Sequence, residues 1–268
     1  MPSLCLLACR MFEDEVVHLI EEDRDSRIVL IDNGEDEGIK KKLDRLSIDY
    51  DTADAGEIAN FLSDNDELTL VVYFLEFALD ADPHILKEEV YHSVEEIAGS
   101  IDGILVLYGL CGNVLGSIEY DFRELDIPVR ILKDRGGHVV DDCICASFGN
   151  QASYINAMKG EKQGEGTYFL TPMQAVNWKE MLVATRLTPD PDNVEMTKMV
   201  FDYSGYKNVG KVDTGLHYEK EFDRTVNEFA TTFGFKIRLF EGSTEVVDEC
   251  YNSIKKEILK IMILNSDQ

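Results

Sequence analysis

The chain has 268 residues, 44% hydrophobic and 9% aromatic, enough for one large α/β domain or two small ones without disulfide staples. Asp and Glu number 52 against 26 Lys and Arg, and the formal charge of −26 makes phosphate backbones and anionic lipid poor partners. The plain reading of that charge is solubility in a crowded cytoplasm. Steering toward a cation or a basic protein is the alternative. No apolar stretch approaches the roughly 20 residues that span a bilayer. The apolar start, Leu4 to Ala8, has no basic region before it and acidic residues soon after it, so it reads as a buried strand rather than a targeting segment. The expected location is the cytoplasm, with the six cysteines as thiols or ligands.

In chain order, the strand Leu4 to Ala8 leads into a helix from Met11 to Glu22 with Phe12, Val16, Leu19 and Ile20 on one face. Arg27 to Ile31 is a second strand, followed by a polar helix rich in Lys and Asp. Ala55 to Leu62 reads as helix and Leu68 to Leu75 as strand. Pro83 suits the first turn of a helix from His84 to Ala98, where its missing N–H costs little. Ile101 to Leu107 is the clearest buried strand, and Val129 to Leu132 a shorter one. Further on come a strand from Thr167 to Leu170, a helix from Gln174 to Thr185 bearing Trp178, and a helix from Asp192 to Tyr203 behind Pro189 and Pro191. Asn208 to Val212 is a strand, Glu219 to Thr232 a helix, Lys236 to Phe240 the last strand and Glu245 to Ile263 the last helix. Near-continuous apolar strands between helices predict an α/β fold, a mainly parallel sheet with helices on both faces. The glycine-rich stretch Gly160 to Gly166 is the best linker. It divides the chain into 1–160, which carries the cysteine motifs, and 161–268, as two similar lobes or as one continuous domain.

Chemistry-bearing residues gather at strand ends. After the strongest strand comes Tyr108-Gly109-Leu110-Cys111-Gly112-Asn113, where Gly109 and Gly112 permit close backbone approach and Val114 opens a helix. A helix N-terminus there would lower the Cys111 thiol pKa and favour the thiolate. A tight turn around a small buried residue explains the same stretch without any site. Cys9 ends the first strand with a helix following. Asp141 or Asp142 can cap a helix whose first turn holds Cys143. Cys-x-Cys on a helix points its two thiols to different faces, so Cys145 is packing. Cys5 and Cys250 read as small buried hydrophobes, and His138 is a loop histidine that is either solvated or a ligand. If the strands are parallel neighbours, Cys9, Cys111 and Cys143 share one sheet edge and suit a metal or an iron–sulfur cluster, although no Cys-x-x-Cys marks it.

Ala8-Cys9 before an acidic helix, Tyr108-Gly109-Leu110-Cys111-Gly112-Asn113, Asp142-Cys143-Ile144, Phe148-Gly149 and Gly166-Thr167-Tyr168 together resemble the family called domain of unknown function 1638. That family occurs in methanogenic archaea and bacteria, often encoded beside corrinoid-dependent methyltransferases. Many of its members carry a compact Pro-Arg-x-His-Asp-Cys segment, where this chain has Ile127-Pro128-Val129-Arg130-Ile131-Leu132 and then a longer loop to Asp142-Cys143. The resemblance implies a shared cysteine site. The expected function is a metal-, iron–sulfur- or corrinoid-linked accessory protein of one-carbon metabolism, with Cys9, Cys111 and Cys143 as ligands. Gly109, Gly112, Asn113 and Asp142 would surround the cofactor, an iron–sulfur cluster, zinc or a corrinoid. The expected partner is a corrinoid protein or methyltransferase. Two alternatives stand beside it: a methyltransferase-type enzyme with Cys111 as nucleophile or acceptor, and a non-catalytic partner of a methyltransferase complex.

Overall fold

The structure, a computed structural model, describes residues 2–62, 68–159, 164–190 and 192–266. Gly160 to Gln163 of the expected linker, and Pro191, lie outside the described residues. The fold is α/β with two all-parallel sheets. The chain forms two compact units, Met1–Asp142 with Val246–Gln268, and Cys143–Glu245.

In the first unit the strands are β1 (Ser3–Cys9), β2 (Arg27–Ile31), β3 (Asp51–Ala53), β4 (Thr69–Leu75), β5 (Gly103–Leu107) and β6 (Val129–Ile131), in the order β3-β2-β4-β1-β5-β6. β1 is central, paired in parallel with β4 on one side and β5 on the other. Its residues Leu4 to Ala8 are fully buried, as are Ile104 to Leu107 of β5. A strand covered on both faces has no reason to alternate, which is why these runs are apolar throughout.

Successive side chains face opposite sides. Cys5, Leu7, Ile104, Val106 and Tyr108 share a core with Leu86, Val90, Val94 and Ile97. Those four lie on one stripe of a helix, Pro83–Ile97, started by Asp82, whose carboxylate accepts from the His84 N–H, with Pro83 in the first turn. Burying each such side chain is worth about 1.5–3 kcal/mol. On the other face the final helix, Glu245–Ser266, presses Ile258 so closely on β5 that a Cβ at Gly103 would lie 2.6 Å from its Cδ1. Arg130 pairs with Glu257 and His18 with Asp248 (3.0 Å), tying the same helix to this unit. The last helix therefore belongs with the first sheet, whereas a division near residue 160 puts it in the second lobe.

The helix Glu13–Glu22 follows a short 3₁₀ turn, Arg10–Phe12, that replaces the start of the expected longer helix. Glu13, Asp14 and Glu15 are 2%, 1% and 6% exposed, so this acidic run is interior. Lys42, on the helix Glu37–Leu46, reaches Glu13 at 2.6 Å and Asp14 at 2.5 Å. Burial pushes the Glu15 carboxyl up to about 8, with the Asp14 charge adding to it.

The second unit holds β7 (Gly166–Leu170), β8 (Tyr206–Asp213) and β9 (Lys236–Glu241), parallel and in that order. One face carries Tyr168, Leu170 and Val209 against Trp178, Phe201 and Phe229. On the other, Phe148 packs edge-on against Phe169 and Phe240. Gly210 sits between those two rings, where a Cβ would come within 2.5 Å of Phe169. The expected helix from Gln174 is two, Pro172–Val176 and Trp178–Ala184. The helix Gln151–Met158 carries no buried residue, so no apolar stripe announced it. Among the described residues no helix is long and apolar enough to cross a membrane.

Candidate functional site

The connection from β4 to β5 is the helix on the Val90 face, while Glu13–Glu22, leaving β1, pairs with the final helix on the opposite face. Adjacent strands sending their chains to opposite faces open a crevice beyond their carboxyl ends, where ligands of parallel sheets collect. β1 delivers Cys9 to that crevice, β5 delivers Tyr108 and the loop to Cys111, and the turn Leu79–Ala81 after β4 delivers Asp80.

Cys9 caps the 3₁₀ turn, its sulfur accepting from the Met11 N–H at 3.5 Å. Burial pushes its thiol up to about 12, the Met11 N–H opposes this, and the Asp80 carboxylate adds to it. Cys111 is also pushed well above the usual thiol range, first by burial and next by charge on Cys9, with Asp80 and Asp142 contributing less. The two thiols are thus near enough to feel each other, and both keep their protons at neutral pH.

The helix expected at Val114 does not form there. Residues 111–117 are turns and a bend, and the next helix is the four-residue Ile118–Asp121. Without aligned peptide dipoles behind Cys111, the expected lowering of its pKa is replaced by the opposite shift. Instead the loop is stitched to the segment ahead of Cys143, with Leu110 N–H donating to Val140 O (2.8 Å) and Cys111 N–H to Asp141 O (3.0 Å). Gly109 is needed for that contact, since a Cβ would lie 2.5 Å from the Val140 oxygen. Cys111, Gly112 and Asn113 have φ of 43°, 79° and 64°, three successive left-handed residues, two of them not glycine. Backbone strain of this kind is held only where surrounding structure enforces it, and it concentrates at functional sites.

Asp142 closes the first unit and Cys143 opens the second as the first residue of the helix Cys143–Ser147, within the turn expected for it. Cys145 is fully buried, the packing role expected of it, as is Cys5. Cys250 is only partly buried, and its sulfur exchanges hydrogen bonds with the Lys133 backbone, so it holds a loop. His138 is a loop residue with an 82% exposed side chain. All six cysteines are thiols. Among the described residues no three His, Cys, Asp or Glu are grouped to hold a metal ion. Sequence reasoning missed two participants, Asp80 and Gln174. Asp80 lies in a turn without a motif. Gln174 donates from Nε2 to the Cys143 sulfur at 3.0 Å, across 31 residues of chain.

The family model described as protein of unknown function (DUF1638) matches residues 74–251, a span that contains Cys111 and Cys143 and begins after Cys9. No curated protein matches the chain.

Proposed function

With the premise that the chain belongs to the DUF1638 family of proteins of unknown function, we propose that it is a cytoplasmic accessory protein of one-carbon metabolism whose Cys9 and Cys111 ligate a soft metal centre. The observation that carries this reading is the convergence of these two thiols at the carboxyl edge of β1 and β5, both with raised pKa. A thiol in that state is a poor nucleophile, whereas a metal ion supplies the positive charge that releases its proton. The cation whose charge acts on Cys9, Arg10, is engaged by Glu35 at 3.3 Å.

Two thiols do not complete a zinc site, so the pair suits a centre that brings ligands of its own, a corrinoid or an iron–sulfur cluster shared with a methyltransferase partner. This reading does not include Cys143, which opens the second unit. The strongly negative surface fits a protein partner and opposes nucleic acid. Anaerobic reconstitution with ferrous iron and sulfide, and separately with hydroxocobalamin, tests it by absorbance and metal content. Cys9→Ser and Cys111→Ser lose uptake, while Cys143→Ser and Cys250→Ser keep it. Equal uptake by all four removes the proposal.

One observation favours a second reading. The left-handed Cys111 resembles the strained turn that presents a nucleophile after a strand. Under that reading Cys111 reacts with iodoacetamide at pH 7 faster than every other thiol of the chain.

A further inference from the structure

The short helix Cys143–Ser147 lies across the carboxyl edge of the second sheet. At its start, the Cys143 sulfur accepts from Gln174, which follows β7. At its end, the Ser147 carbonyl accepts from the Ser243 N–H at 2.8 Å, just beyond β9. Between those two anchors β8 ends, and Thr214 follows it. Gly210 and Val212 lie on the Phe148 face of the sheet, and Thr214 is the first residue past the end of β8. Thr214 is 7% exposed, and its Oγ1 is buried with no hydrogen-bond partner among the described residues. A buried hydroxyl left unsatisfied costs stability and is uncommon unless something else takes its hydrogen bond.

The orientation of Gln174 follows from chemistry. The Thr171 N–H can only donate, and it meets Gln174 Oε1 at 3.1 Å, so the amide NH₂ is the end that faces Cys143. Gln174 is 1% exposed and closes a capping box with Thr171, which holds the amide in place. A fixed donor on sulfur favours the thiolate over the thiol.

We propose that Cys143 is the nucleophilic thiol of the chain, in a small site at the carboxyl edge of the second sheet that takes an electrophilic carbon bearing a neighbouring carbonyl oxygen. Gln174 stabilises the thiolate and Thr214 donates to that oxygen. The sulfur forms a bond to carbon, the leaving group departs with its electron pair, and the thiol proton goes to solvent. This inference is independent of the metal reading of Cys9 and Cys111.

Iodoacetamide supplies such a carbon, with iodide as leaving group and an amide oxygen beside it. Mass spectrometry of protein treated at pH 7 shows Cys143 modified first. Gln174→Glu keeps the capping acceptor but loses the donor, and it slows modification of Cys143 about tenfold or more. Thr214→Val slows the reaction with iodoacetamide and leaves unchanged that with iodomethane, which has no oxygen. Circular dichroism confirms that both variants keep the fold. First modification at another cysteine overturns the proposal. So does an unchanged rate in Gln174→Glu, or equal slowing of both reagents in Thr214→Val.

Discussion

The two parallel sheets each present a cysteine-bearing carboxyl edge, and the two edges differ in what surrounds sulfur. At the first, Cys9 and Cys111 are partly buried and close to each other and to Asp80, so every ionisation there works against another. At the second, Cys143 receives a hydrogen bond from an amide whose other end is fixed by Thr171. A position beyond a parallel strand makes a thiol available to ligands but does not set its reactivity. Nearby charges and donors set it.

The largest expected effect sharpens this contrast directly. With its pKa pushed up from the ordinary 9.0 to about 12, Cys9 has a thiolate fraction at pH 7 about a thousandfold below that of an ordinary thiol. Its alkylation is slower for that reason, though by less than the same factor because a more basic thiolate is more nucleophilic, and it rises tenfold per pH unit well beyond pH 9. A Cys9 rate that levels off near pH 9 contradicts the burial argument. The same shift makes a stability statement: the unfolded thiol ionises near 9 while the folded one keeps its proton, so the unfolded state binds fewer protons and stability falls between pH 9 and about 12.

The units also differ in how they treat buried charge, and Lys42→Met tests that difference. It leaves Glu13 and Asp14 interior without their cation, at a cost of about 3–5 kcal/mol. Because Trp178 is the only tryptophan and lies in the second unit, urea unfolding followed by its fluorescence shifts less than unfolding followed by circular dichroism. Coincident shifts show that the two units unfold together.

The smallest effect isolates one charge. Asp80→Asn removes a carboxylate that raises both Cys9 and Cys111, and speeds their alkylation by a few-fold. Iodoacetamide kinetics with peptide mapping reads both thiols, and an unchanged Cys9 rate removes Asp80 from the site.

Much of this arrangement is written locally. The apolar runs of β1 and β5 announce buried parallel strands, Asp82-Pro83 starts a helix, and Cys9 and Cys111 fall at strand ends because the apolar runs stop there. The helix expected at Val114 does not form, and the glycines that bracket Cys111, which suggest close approach of a ligand, serve packing. Gly109 makes room for the Val140 carbonyl, and Gly112 takes a positive φ against Pro83. Neither segment is a neighbour in sequence, so no local pattern reports them. The acidic run Glu13-Asp14-Glu15 looks like a solvated first turn, and only Lys42, 28 residues from Asp14, shows that it is interior.

The sequence by itself therefore determined the α/β class, most of the strands and helices, and the strand-end placement of Cys9 and Cys111, since periodicity, capping and chain breaks act over a few residues. Tertiary structure alone decided the order β3-β2-β4-β1-β5-β6, the return of the last helix to the first sheet, and the company each thiol keeps. Strand order and helix docking are settled by which apolar faces close over one another, a competition among distant segments. A thiol's proton affinity depends on burial and on charges a few ångströms away, and Asp80 reaches Cys9, and Gln174 reaches Cys143, only after the chain has folded.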